Sequence, residues 1–160
     1  MTSTSTATPT DPLVKRLHTV QHLINGGKLP EAAQRLNAAR KSSPHDPRVY
    51  LMGMRLAEAA GNPQAAQQAA RKAVEVAPEW PVAVTELAFL LARQNQFKDA
   101  MEYSDKAVAL DGDNPEVLAR VIDIAHRARA FERAIAWLER AARVTPGNTH
   151  IELLLARDWR

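Results

Sequence analysis

Residues 81–114 read PVAVTELAFLLARQNQFKDAMEYSDKAVALDGDN, and this stretch decides the fold. It opens on a proline, carries alanine at positions 100 and 107, and closes just before another proline. A step of 34 residues in either direction meets the same marks. Ala32, Ala66, Ala100 and Ala134 form one series, and Ala39, Ala73, Ala107 and Ala141 form a second. Pro47, Pro81 and Pro115 form a third. Pro44, Pro78 and Pro146 form a fourth, with Gly112 in its vacant place. Four columns that share one period mark an internal repeat, which an alanine-rich composition alone does not produce.

Residue types give the repeat its local structure. Pro47, Pro81 and Pro115 suit the first turn of a helix, where a missing N–H costs nothing. Asp11, Asp46 and Asn114 precede prolines and can cap those helices. Pro44, Gly112 and Pro146 end the helices before them. Within a unit, Asn25-Gly26-Gly27, Gly61-Asn62-Pro63 and, more faintly, Gln94-Asn95-Gln96 break the chain near its middle. Each unit is therefore helix, turn, helix, of roughly 14 and 13 residues. No stretch alternates apolar and polar residues as a strand does. The alanines sit where two antiparallel helices must approach closely. Leu36, Val76, Phe97, Tyr103, Leu110, Phe131, Leu138 and Val144 are expected to fill the gaps between them.

Composition narrows the function. The 160 residues carry 21 Lys+Arg against 18 Asp+Glu and no cysteine, so a disulfide framework, a thiol nucleophile and a thiolate zinc site are excluded. A charge of +3, spread in small clusters broken by acids, is too modest for the footprint of a nucleic-acid binder. No apolar run is long enough to span a membrane. Met1–Thr10 is small, polar and uncharged, which fits a flexible tail over residues 1–11 and lacks the pattern of a secretory signal; a cytoplasmic location is expected. No phosphate loop and no nucleophile elbow occur. His18 and His22 have metal-ligand spacing without the glutamate of a zinc hydrolase, and His126 beside Asp123 has no nucleophile to serve. The expectation is a chain that is not an enzyme, with no cofactor and no metal.

The 34-residue length, the paired alanines, Phe97 and Phe131 three residues before an alanine, and the closing prolines resemble the tetratricopeptide repeat (TPR). The resemblance covers residues 13–46, 47–80, 81–114 and 115–148, with a terminal half repeat over 149–160. It implies an all-α fold: a right-handed α-solenoid of helix-turn-helix repeats spanning residues 12–160. The pentatricopeptide family, which reads RNA, runs nearer 35 residues and lacks the closing proline.

The resemblance also implies a concave groove, lined by the first helix of each repeat, that receives a peptide or partner helix. Its positions are Leu17, Gln21 and Ile24; then Arg48, Leu51, Met52, Arg55 and Glu58; then Val82, Thr85, Glu86, Phe89 and Arg93; then Glu116, Arg120, Asp123, His126 and Arg127. Leu51, Met52 and Phe89 form the expected apolar centre. Arg55, Arg93, Arg120 and Arg127 surround it, which suits capture of a carboxylate on an acidic or amphipathic peptide. The same residues could instead form a solvated face with internal ion pairs. Chaperone-binding members use a Lys/Asn clamp; the matching positions Leu17, Gln21, Met52, Val82 and Glu86 carry none of it. The last helix bears Ile151, Leu154, Leu155 and Trp159, an apolar set suited to capping the stack or to self-association as a homo-oligomer. The leading reading is a non-catalytic scaffold for a protein or peptide. The alternatives are the N-terminal regulatory or targeting module of a larger enzyme and a self-associating module.

Overall fold

The computed structural model describes residues 11–158. Among them are α1 (Pro12–Asn25), α2 (Leu29–Ser42), α3 (Pro47–Ala59), α4 (Pro63–Val76), α5 (Pro81–Arg93), α6 (Phe97–Asp111), α7 (Pro115–Arg127), α8 (Phe131–Val144) and α9 (Thr149–Asp158), with no strand among the described residues. The chain is an all-α solenoid of helix-turn-helix repeats. Met1–Thr10 and Trp159 lie outside the described residues, so the expected tail is represented only by Asp11.

The start signals act as their chemistry dictates. The Asp11 carboxylate accepts the Leu13 amide at 2.9 Å, Asp46 accepts that of Arg48 at 3.0 Å, and Asn114 accepts that of Glu116 at 3.0 Å. Asn62, read in the sequence only as a breaker, also caps: its side-chain oxygen accepts the Ala65 amide at 3.0 Å. The turn inside each repeat needs one residue in the left-handed region. That place falls at the same step of 34, on Gly27 (φ 73°), Gly61 (φ 70°), Asn95 (φ 60°) and Arg129 (φ 57°). Glycine and asparagine adopt it cheaply; Arg129 does not.

All eight alanines of the two columns are buried. A methyl group is the largest side chain that lets paired helices touch at those points, and larger neighbours close the remaining space. Leu36, Leu138 and Trp137 are buried among them. Of the other expected gap-fillers, Val76, Phe97, Tyr103 and Val144 are half-buried, and two are exposed. Leu110, near the C-terminal end of α6, and Phe131, the first residue of α8, are exposed. A first-turn side chain leans back past the helix end, so Phe131 overhangs the preceding turn and meets the His126 ring edge-on at 6.4 Å between centroids.

Contacts between non-sequential helices set the curvature. The first helices of successive repeats touch: α1 with α3, α3 with α5, α5 with α7. The backbones of the second helices α2, α4, α6 and α8 stay apart, and where these helices meet it is through long side chains, as in the ion pairs Arg71–Asp99 and Arg133–Asp105. A stack whose helices lie closer on one side than on the other bends toward the closer side, so α1, α3, α5 and α7 line its inner face.

Candidate functional site: the inner face

The residues expected in the groove divide by burial. Leu17, Leu51 and Met52 are each only 7% exposed and Thr85 only 6%, so these four belong to the core rather than to a binding surface. Leu51 packs with Ala73 and Ala83, and Met52 packs with Leu17 and Val20 of the first repeat. The Thr85 hydroxyl donates to the Pro81 carbonyl of its own helix at 2.7 Å. The expected apolar centre is thereby reduced to Phe89, which remains half-buried.

The charged residues are brought together, largely with one another. The Arg93 guanidinium stands 2.6 Å from Glu58, Arg120 stands 3.6 Å from Glu86, and Arg127 stands 2.9 Å from Asp123. The first two join neighbouring repeats, as does the bond from Arg55 to the Gln21 side-chain oxygen at 3.1 Å. Arg55 is thus the groove arginine whose partner in this row is a neutral amide. Arg48 is clamped at the edge of the face by Asp46 at 2.7 Å and Asp11 at 2.8 Å. Those hydrogen bonds push the arginine's pKa up and hold both carboxyls below the usual aspartate value. Arg48 is therefore a strut between the first two repeats.

His126, expected as an open groove side chain beside Asp123, is half-buried, with its Nε2 3.1 Å from Asp158 Oδ2 of α9. Arg127, not His126, takes Asp123.

Around Phe89 the arginines form a cup. Arg120 lies over its ring at 4.6 Å and Arg127 at 5.7 Å, both within cation–π range. A cavity of about 190 Å³ beside it is lined by Arg55, Glu58, Glu86, Phe89, Arg93 and Arg120. Across the Glu86–Arg120 pair lies a second cavity of about 260 Å³, where Trp80, Val82, Asp111, Glu116 and Val117 join the wall. Trp80 and Asp111 were not singled out from the sequence. The signal was present: Trp80 stands directly before the proline of α5, at a cap position where an indole cannot cap, so its ring is left for another use.

On α9, Ile151, Leu154 and Leu155 pack against the core of the fourth repeat, whereas Leu153 is 69% exposed. No helix among the described residues is long and apolar enough to cross a membrane.

A sequence profile of the tetratricopeptide repeat matches residues 57–119 and 91–157, most of the chain. The chain belongs to the tetratricopeptide repeat family, a class of protein-interaction scaffolds. No curated protein sequence matches it. Solved structures share its fold. PilW, a widely conserved type IV pilus biogenesis factor, is 21% identical over 91% of this chain and 68% of its own, with a TM-score of 0.72. MamA 41-end from Desulfovibrio magneticus RS-1 is 20% identical over 92% and 84%, with a TM-score of 0.69. A thermophilic TPR protein of Thermus thermophilus is 15% identical over 95% and 83%, with a TM-score of 0.73. At these identities the likeness is one of fold.

Proposed function

We propose that the inner face holds a peptide segment of a partner protein by a carboxylate placed at Arg55, with an apolar side chain against Phe89. The observation that carries this is the imbalance of the cup. Arg93 and Arg120 each face a glutamate, while Arg55 faces the amide of Gln21. A guanidinium without a carboxylate partner, beside a half-exposed aromatic ring, is a ready acceptor for an anionic side chain or chain end.

The test is a fluorescence-polarisation screen of labelled peptides that vary in acidic and apolar content. Binders should carry an acidic residue next to an apolar one. Arg55→Ala with Arg93→Ala should weaken them by about tenfold or more, the scale of one or two charge-assisted hydrogen bonds. Arg35→Ala, on an exposed face of α2, should leave them unchanged. Affinity that survives the double change would remove the inner face from the reading.

A further inference from the structure

A further cavity lies on the opposite surface. It is a crease of about 500 Å³ between α2 and α4 with α3 as its floor, lined by Ala33, Leu36, Arg40, Gly53, Ala57 and Ala69 among others. The repeat shows why the crease is there. One step of 34 along, Gly53 becomes Leu87, Ala57 becomes Leu91 and Ala69 becomes Tyr103. A second step gives Val121, Ala125 and Trp137. Leu87, Leu91 and Val121 are fully buried, Trp137 is buried, and Tyr103 packs on two core clusters. So the second-helix creases further along the stack are filled by the chain's own aromatic side chains. The first carries a glycine and alanines in the same places.

The molecule itself thereby displays what fits. A ring entering between α2 and α4 would rest on the Gly53–Ala57 turn of α3, much as Tyr103 packs on the cluster that holds Leu87 and Leu91 and Trp137 joins the cluster that holds Val121 and Ala125. The rim adds a charge criterion. Arg40 is the one charged residue in the lining; it lies over the Tyr50 ring at 5.4 Å, and no carboxylate stands within 4 Å of it among the described residues. The other polar lining groups, Asn37, Asn62 and Gln68, are neutral. We infer that this outer crease is a second docking site, which takes a partner segment presenting an aromatic side chain with a carboxylate beside it. The site is separate from the inner face and stands or falls independently of it.

The test uses the full chain and the tripeptide N-acetyl-Asp-Trp-Asp amide, with N-acetyl-Asp-Ala-Asp amide as control, followed by amide chemical shifts. The tryptophan peptide should move the resonances of Gly53, Ala57 and Ala69, and the alanine peptide should not. Ala69→Tyr, which copies the third repeat, should abolish the shifts. Arg40→Gln, an exposed change that leaves the core alone, should weaken binding about tenfold. Shifts confined to Arg55 and Phe89, shifts that persist in Ala69→Tyr, or equal shifts with both peptides would overturn the assignment. Self-association of the chain that Ala69→Tyr removes would also overturn it, because the occupant would then be a second copy.

Discussion

Adding one methyl group to this chain at two nearby glycines should shift its stability in opposite directions. Gly53 lies inside α3 with ordinary helical geometry, and a Cβ built there meets Ala69 Cβ at 3.7 Å and Leu36 Cδ2 at 3.8 Å, both comfortable contacts. Gly53→Ala therefore gains helix propensity of about 1 kcal/mol with no steric cost. Gly61 stands at φ 70° with nothing within 4 Å of a Cβ, so the substitution there meets no neighbour and feels only the backbone. Holding alanine in the left-handed region costs about 1–2 kcal/mol, partly offset by a stiffer unfolded chain, for a net loss of about 1 kcal/mol. The two variants are isomers, identical in mass and composition, yet should differ by about 2 kcal/mol. For a domain of this size that corresponds to roughly 4–8 °C in melting temperature. Thermal and urea unfolding followed by circular dichroism at 222 nm would measure it. Shifts of the same sign, or midpoints that coincide, would refute the backbone argument.

Two further outcomes follow from the same geometry. Arg129→Gly relieves the left-handed arginine in the fourth turn and should raise stability by up to about 1 kcal/mol, read as a higher urea midpoint. The carboxyls of Asp11 and Asp46 are held below their unfolded value by Arg48, so the stability they contribute is present above about pH 4 and is lost as pH falls through their folded pKa values. Melting scans from pH 6 to pH 2.5 should therefore fall less steeply for Asp46→Asn than for the wild type below about pH 4.

Much of this architecture is written in residue spacing, because helix starts and close helix contacts are local demands. A proline at the first turn, an aspartate or asparagine before it and a methyl-sized side chain at each crossing recur wherever the backbone recurs. The site is written less plainly. Leu51 and Met52 stand at groove positions of the family, and only the resemblance places them on the inner surface. But α3 touches α1, α2, α4 and α5, and a helix with four neighbours keeps only a narrow strip for solvent. The pairs Glu58–Arg93 and Glu86–Arg120 join residues 35 and 34 apart, a separation no helical periodicity connects. His126 and Asp158 meet only because α9 packs back toward the end of α7. The left-handed arginine at position 129 carried no signal of its own; it becomes visible only as the fourth member of a column that holds Gly27, Gly61 and Asn95.

The row of polar links along the inner face has a mechanical meaning. Gln21–Arg55, Glu58–Arg93 and Glu86–Arg120 tie each coil of the stack to the next along the inner face, and Arg71–Asp99 and Arg133–Asp105 tie second helices whose backbones stay apart on the outer one. Such a body behaves as a spring whose stiffness is set by exposed ion pairs, and added salt screens those pairs. Small-angle scattering should show the coil lengthening between low and high ionic strength with its helix content unchanged; a fixed radius of gyration would mean that the apolar packing alone sets the pitch.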